Sequence, residues 1–95
     1  MSRKPLSATE TERFLADLPE WELKEGKLYR SFRFADFVQA ISWMVSAAFE
    51  AEKLDHHPNW SNVWNRVDVV LWTHSADAIT ELDFALARKM EALAQ

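Results

Sequence analysis

The chain has 95 residues, of which 48% are hydrophobic, and this is enough for one domain with a compact core. Its formal net charge of −4 argues against a nucleic-acid-binding surface, because neutralising phosphates requires clustered lysines and arginines. Cysteine is absent, which removes disulfides and thiolate metal sites and fits a reducing compartment.

The first predicted element is a short helix that begins after Ser7. Ser7 and Glu10 have the spacing of a capping box, and Pro19 closes the helix. Residues 1–5, before the helix, are predicted to be a flexible tail of the single domain. This start does not resemble a secretion signal, because Thr9 to Glu12 stand where an apolar region would be. We therefore expect a cytoplasmic protein.

A β-hairpin is predicted next, over Trp21 to Phe34. Its turn lies at Lys24 to Lys27, where the only glycine of the chain supplies turn geometry. In the second strand Leu28, Phe32 and Phe34 share one face and polar residues take the other. This period-two pattern is typical of a strand with one buried face.

A long helix is predicted from about Asp36 to Leu54. Apolar residues recur through it at helical spacing, which predicts a stripe that faces the core. Its longest uncharged stretch, residues 37–49, is too short to cross a bilayer, which takes about 20 residues. We therefore expect a core helix and no membrane contact. The predicted stripe consists of Phe37, Ile41, Met44 or Val45, Ala48 and Ala51.

A second hairpin is predicted after Pro58. Its strands run over Ser61 to Trp64 and Val67 to Thr73, and the turn lies near Asn65 and Arg66. Alternate residues of the second strand are apolar, which predicts that one face of this strand is also buried. The two hairpins together supply four short strands.

The last predicted element is a helix that begins after Thr80, since Thr80 and Asp83 have the spacing of another capping box. The order is therefore α-β-β-α-β-β-α. It predicts an α+β fold, a two-layer sandwich in which helices pack on one face of a four-stranded antiparallel sheet. The predicted buried stripe of the last helix consists of Leu82, Ala85, Leu86, Met90 and Leu93.

All three histidines, His56, His57 and His74, fall within nineteen positions. Imidazole has an unperturbed pKa of about 6.5, so it can both give and take protons near neutrality. Pro58 disfavours helical geometry at His57, so the chain should leave the helix there. His56 and His57 should then point in different directions, one into a pocket and the other toward the rim of that pocket. His74, at the end of the last strand, should close the pocket from the other hairpin.

The run Glu52-Lys53-Leu54-Asp55-His56-His57-Pro58, followed by Trp60, Asn62-Val63, Thr73-His74 and Asp83, resembles the pterin-4a-carbinolamine dehydratases. The resemblance extends from about Trp21 to Ala87. It implies a domain that forms dimers or tetramers and dehydrates 4a-hydroxytetrahydropterin to the quinonoid dihydropterin, in tetrahydrobiopterin recycling. No metal or organic cofactor takes part in that chemistry. The resemblance gives catalytic roles to His56, His57 and His74, and pterin-contacting roles to Glu52, Asp55, Trp60, Trp72, Thr73 and Asp83.

Acid–base chemistry agrees with this resemblance. Dehydrating a carbinolamine requires one proton for the departing 4a-hydroxyl and the removal of another from N5. Two imidazoles in opposite protonation states can do both. We expect His56 and His74 to exchange these protons and His57 to bind and polarise the pterin. Which of the two is the acid stays open.

Other interpretations of the same residues stay open. Asp83 has a structural role as a capping residue, and Glu52 could be an ordinary solvated side chain. Trp60 and Trp72 could be core or interface aromatics. The three histidines with one acidic residue could form a zinc site, although adjacent histidines usually point apart.

A protein-interaction function is the second class that we consider. Animal members of the family bind a homeodomain transcription factor as a dimerisation cofactor, so the domain could be an interaction module. Self-association is expected in either case. The predicted sheet leaves unpaired edges and an open face around Val70 and Trp72, which favours a homodimer or homotetramer.

Overall fold

The computed structural model describes all residues 1–95 and has the predicted order of three helices and four strands. The elements are α1 (Ala8–Leu15), β1 (Glu22–Lys24), β2 (Lys27–Arg33), α2 (Phe37–Leu54), β3 (Asn59–Val63), β4 (Arg66–Leu71) and α3 (Glu81–Leu93). No helix is both long and apolar enough to cross a membrane.

The four strands form one antiparallel sheet in the order β1-β2-β4-β3. The two longer hydrogen-bonded strands, β2 and β4, are therefore central, and their pairing brings Leu28 opposite Leu71 and Phe32 opposite Val67. All four of these side chains are buried. Helix α2 packs against α3 and over β4, so the core lies between the helical layer and this face of the sheet. The predicted α+β class is confirmed.

Both predicted capping boxes are present. Ser7 accepts a hydrogen bond from the Glu10 amide, and the Glu10 carboxylate accepts one from the Ser7 amide. These hydrogen bonds, first the one from the Ser7 backbone, lower the pKa of Glu10 from its usual value. Thr80 and Asp83 make the equivalent pair at the start of α3. Both helices therefore begin where the sequence predicts.

The second hairpin turns one residue earlier than predicted. Val63 pairs with Arg66, so Trp64 and Asn65 form a two-residue turn, and Trp64 has a φ of 50°. The Asn65 amide donates to the Phe34 carbonyl at 2.9 Å, which ties the turn to the end of β2. A contact between residues 31 positions apart cannot be seen in the local turn pattern from which the turn was predicted. Strand β4 also ends at Leu71, two residues before the predicted end.

The prediction of which side of α2 faces the core is wrong. The helix buries Ala40, Trp43, Ala47 and Ala51, and of these only Ala51 was predicted. Small alanines let α2 approach its neighbours closely, and the Trp43 indole donates to the Met90 carbonyl at 3.1 Å. Most of the predicted stripe is instead on the exposed side: Phe37, Ile41, Val45 and Ala48.

The predicted stripe of α3 is largely correct. Leu82, Leu86 and Met90 are buried as predicted, whereas Ala85 is half-buried and Leu93 is exposed. Two further apolar residues of this helix, Phe84 and Ala87, are fully buried although the predicted stripe does not contain them. Phe84 faces α1, where it stacks on Phe14 with ring centroids 5.2 Å apart. Helix α3 therefore buries a wider face than a single stripe, because α1 covers part of it.

Candidate active site

A cleft of about 220 Å³ lies where the end of α2 meets the turn that follows β4. The residues that follow α2 and those that follow β4 lack regular secondary structure. Helix α2 and strand β4 fix where these residues begin, so their side chains can converge at the cleft. The lining is polar except for one tryptophan. It consists of Arg3, Asp55, His56, His57, Trp72, Thr73, His74 and Ser75.

The end of α2 places the first histidine. Asp55 adopts the left-handed conformation with a φ of 49°, its amide donates to the Glu52 carbonyl, and the His56 amide donates to the Ala51 carbonyl. These two hydrogen bonds form a Schellman motif, the common way to satisfy the last carbonyls of a helix. The motif turns the chain away from the helix axis and directs His56 into the protein. His56 is accordingly only 5% exposed.

A buried hydrogen-bond network holds the His56 ring. His56 Nε2 lies 2.5 Å from Asp83 Oδ1, and Asp83 has no exposed surface. The other carboxylate oxygen accepts from the Thr73 hydroxyl at 3.0 Å and from the Thr80 amide at 2.9 Å. A buried carboxylate costs free energy unless it is paired and hydrogen-bonded, and these three partners meet that requirement.

Counting protons in this network assigns the His56 tautomer. A carboxylate only accepts hydrogen bonds, so Thr73 must donate its one hydroxyl proton to Asp83. The Thr80 hydroxyl, 2.7 Å away, therefore donates to Thr73. His56 donates through Nε2, which leaves Nδ1 of the neutral ring as an acceptor. Nδ1 makes no hydrogen bond within the chain, and His56 lines the cleft, so this nitrogen is available to a bound molecule.

His57 lies at the rim of the cleft. Its side chain is 57% exposed, and Nε2 is 2.6 Å from Glu52 Oε1, a residue of the last turn of α2. The two adjacent histidines therefore point apart, as the Pro58 junction predicts. Each imidazole has its own carboxylate partner, one buried and one exposed.

His74 lines the part of the cleft that the turn after β4 forms. It is the first residue of a turn that a backbone bridge between Thr73 and Ala78 closes, with Thr73 N donating to the Ala78 carbonyl at 2.9 Å. Asn59 Nδ2 lies 3.4 Å from His74 Nε2. The His74 ring makes no other hydrogen bond, so it is available to a bound molecule.

Trp72 forms the apolar part of the wall. Its ring centroid is 4.2 Å from that of His74, and the Lys27 ammonium lies 4.3 Å from the centroid of the same ring. A cation at this distance is attracted by the π-electrons of the indole. Trp72 therefore already has two neighbours against its ring, and a planar ligand would have to share that surface with them.

The cleft brings together six of the nine predicted site residues. Glu52 and Asp83 do not line it but lie one hydrogen bond behind His57 and His56. Trp60 lies elsewhere, on the helix-facing side of β3, with its ring 6.1 Å from that of Trp43. The structure thus places Trp60 at the edge of the core, one of the two interpretations that the sequence leaves open.

Four residues near the cleft were missed by the sequence analysis: Arg3, Lys27, Asn59 and Ser75. Asn59 and Ser75 adjoin the histidine motifs, and this proximity is the only signal that could have indicated them. Arg3 and Lys27 come from distant parts of the chain and gave no signal. No group of three or more His, Asp or Glu side chains is arranged to hold a metal ion.

Known protein families provide a separate line of evidence. The family model described as pterin 4 alpha carbinolamine dehydratase matches residues 4–93. The chain belongs to this family. A curated protein of Chelativorans sp. (strain BNC1), whose name provisionally assigns it to the pterin-4-alpha-carbinolamine dehydratases, is 51% identical over 96 residues. The match covers 99% of this chain and 98% of the relative. A protein of Brucella ovis (strain ATCC 25840 / 63/290 / NCTC 10512) with the same name is 49% identical, with 99% of each chain covered.

Solved structures of pterin dehydratases have the same fold. The crystal structure of a transcriptional coactivator/pterin dehydratase from Brucella melitensis superimposes with a TM-score of 0.94 at 47% identity, covering 97% of this chain and all of that one. A pterin dehydratase-like protein, described as a RuBisCO assembly factor in the alpha-carboxysome, superimposes with a TM-score of 0.65. At 24% identity and 78% coverage of this chain, that second likeness shows the fold alone.

Proposed function

We propose that this chain is a 4a-hydroxytetrahydrobiopterin dehydratase that acts by histidine general acid–base catalysis, without a metal or an organic cofactor. The substrate loses its 4a-hydroxyl as water and becomes the quinonoid dihydropterin, a step in tetrahydrobiopterin recycling. Membership of the pterin dehydratase family supports the activity. The observation that carries the mechanism is the buried pair of His56 and Asp83 beside a cleft that also holds His57 and His74. A cytoplasmic location remains a prediction from the sequence.

His56 is the proton acceptor in this proposal. Its Nδ1 takes the proton from N5 of the pterin as the double bond between C4a and N5 forms. The ring then carries a positive charge, which the Asp83 carboxylate at 2.5 Å stabilises without having to move. Asp83 also fixes the direction of the ring, so Nδ1 is held in place before the substrate binds.

His74 is the proton donor. In its protonated, imidazolium form it gives a proton to the 4a-hydroxyl as the bond between C4a and oxygen breaks, so the hydroxyl leaves as water and His74 becomes neutral. His74 lines the same cleft as His56, so one proton can be removed while the other is delivered. His57, paired with Glu52 at the rim, binds and polarises the pterin. Each proton transfer contributes about 10²–10⁴-fold to the rate.

The pterin-contacting roles follow the cleft lining. Asp55, Thr73 and Trp72 line the cleft, so we propose that they contact the substrate, with the Trp72 indole against its flat ring. Glu52 and Asp83 act through the histidines that they hold. Trp60 supports the wall from the core side and makes no contact with the pterin.

The test is the rate at which purified protein removes 4a-hydroxytetrahydropterin. We expect protein that has been treated with a chelator and is correctly folded to accelerate this loss. A folded sample with no activity on biopterin or simpler pterin analogues would contradict the proposal. Activity that appears only after zinc is added would favour the zinc site that the sequence leaves open.

A second copy of this chain is the proposed protein partner. The exposed side of α2 presents an apolar, uncharged face, made of Phe37, Val38, Ile41, Val45 and Phe49. An interface between identical copies presents the same face on both sides, so an uncharged face avoids like-charge repulsion. The interaction module remains the alternative, since the Brucella melitensis relative is described as a coactivator as well as a dehydratase.

A further inference from the structure

Arg3 joins the N-terminal segment to the end of α2. Its Nη2 donates to the Asp55 carbonyl oxygen at 3.0 Å and lies 3.8 Å from the Asp55 carboxylate. The guanidinium also lines the cleft beside His56 and His57. Arg3 lies just outside the residues that the family model matches.

Two features of the junction that Arg3 contacts are energetically unfavourable. Asp55 has a left-handed backbone, which is costly for a residue with a side chain, although Asp tolerates it better than most. Its carboxylate also lies at the negative end of the α2 helix dipole, with Glu52 one turn earlier. The positive charge of Arg3 offsets the unfavourable position of the Asp55 carboxylate. Its hydrogen bond to the Asp55 carbonyl holds the backbone directly.

The backbone around Arg3 is itself attached to the other half of the site. The Ser2 amide donates to the Glu81 carboxylate at 3.2 Å, and the Leu6 amide donates to the Ile79 carbonyl at 3.0 Å. Glu81 and Ile79 flank Thr80, which caps α3 and contacts Asp83. Arg3 thus connects the segment that carries Asp83 to the segment that carries His56.

We propose that Arg3 is a positioning residue that holds the Asp55–His57 junction in register with Asp83, so that the two histidines face the cleft. An exposed ion pair alone would be worth little, because solvent screens it. The hydrogen bond to the carbonyl matters more, since it fixes the residue that immediately precedes His56. The effect on the rate rests on the proposed function, whereas the effect on the position of the histidines does not.

Three variants test this role: Arg3→Ala, Arg3→Lys and the control Lys4→Ala. Lys4 carries the same charge one residue away, and its side chain makes no hydrogen bond or ion pair. We expect Arg3→Ala to lower kcat by about 10-fold to 100-fold with KM little changed, because small displacements of catalytic groups are costly. Arg3→Lys should fall between Arg3→Ala and the parent, since lysine keeps the charge but loses the planar fork. Lys4→Ala should match the parent, and all variants should be fully folded at the assay temperature.

The imidazole resonances of the three histidines provide a readout that needs no activity. In Arg3→Ala the signals of His56 and His57 should shift more than that of His74, and in Lys4→Ala none should shift. Unchanged signals, a kcat equal to that of the parent, or a rise in KM alone would each overturn the proposal. A parent protein without dehydratase activity would instead contradict the proposed function, and the resonances would then decide the role of Arg3.

Discussion

Asp83 is the residue on which the hydrogen bonds of the site converge. The sequence leaves open whether it caps a helix or serves the site, and the structure shows that one carboxylate does both. Oδ2 accepts from the Thr80 amide and the Thr73 hydroxyl, while Oδ1 faces His56. Spacing within α3 predicts the cap, but the contact with His56 depends on tertiary packing across 27 positions, which spacing cannot show.

Replacing Thr73 tests this network. Thr73→Val keeps the shape of the side chain but leaves the Asp83 carboxylate without one donor and the Thr80 hydroxyl without its acceptor. We expect the free energy of unfolding to fall by about 1–3 kcal/mol, as measured by urea denaturation. The control Thr73→Ser keeps the hydroxyl and should lose only about 0.8 kcal/mol for the buried methyl group. Equal losses in the two variants would show that the hydroxyl is not important.

At the scale of elements, the sequence predicts helix and strand positions well and buried faces less well. Both capping boxes depend on residues three apart, so local spacing is sufficient to place the starts of α1 and α3. The buried side of α2 is different, because apolar residues surround most of this helix. Periodicity alone fits more than one side of the helix, and packing against α3 and β4 selects the side that contains Ala40, Trp43, Ala47 and Ala51. The choice depends on what lies opposite, which the helix sequence does not contain.

A partly buried ion pair joins the sheet to α3 and gives a prediction at this scale. Glu91 Oε1 accepts from Arg30 Nε at 2.7 Å and from the Trp21 indole at 2.8 Å. Glu91→Gln keeps the size but removes the charge, so we expect a loss of about 1–2 kcal/mol in thermal or urea unfolding. Glu50→Gln is the matched control, because Glu50 pairs only with the largely exposed Lys53, and it should cost less than about 0.5 kcal/mol. Equal losses of unfolding free energy in Glu91→Gln and Glu50→Gln would contradict a stabilising role for the Glu91 hydrogen bonds.

The capping box of α1 predicts a pH dependence. Hydrogen bonds from Ser7 lower the folded-state pKa of Glu10 below 4.5, so the contribution of this carboxylate is present at neutral pH. It should disappear as the pH falls through the folded-state pKa. The difference in melting temperature between the parent and Glu10→Gln should therefore shrink at acidic pH. A difference that stays constant or grows on acidification would contradict this assignment.

At the scale of the whole molecule, the fold leaves surfaces that favour association. Strands β1 and β3 are edge strands, and α2 exposes an apolar face that includes Phe37, Ile41 and Val45, which the sequence pattern predicts to be core. Exposed edges and apolar patches of this kind commonly mark protein interfaces. The error in the α2 stripe is thus informative, because residues that look like core without contacting it are typical of a surface that a partner buries.

We predict that the protein is at least a dimer at micromolar concentration. Val45→Glu places a charge in the middle of the apolar face and should shift light scattering toward the monomer mass, since burying an unpaired charge is costly. The control Gln39→Glu adds the same charge on another side of α2 and should leave the mass unchanged. A monomeric parent would contradict the prediction. A dimer that Val45→Glu does not weaken would assign the interface to a strand edge or to the open sheet face.

The central claim is that His56 and His74 transfer the two protons of the dehydration. The measurement is the rate of 4a-hydroxytetrahydropterin loss for His56→Ala, His74→Ala and the double variant, with circular dichroism and binding of a stable dihydropterin analogue as controls. Each single change should lower the rate by about 10²–10⁴-fold with the fold retained. The double change should cost less than the product of the two, because the pair works as a unit. Single variants within a few-fold of the parent rate, or variants that lose activity only by unfolding, would contradict the account.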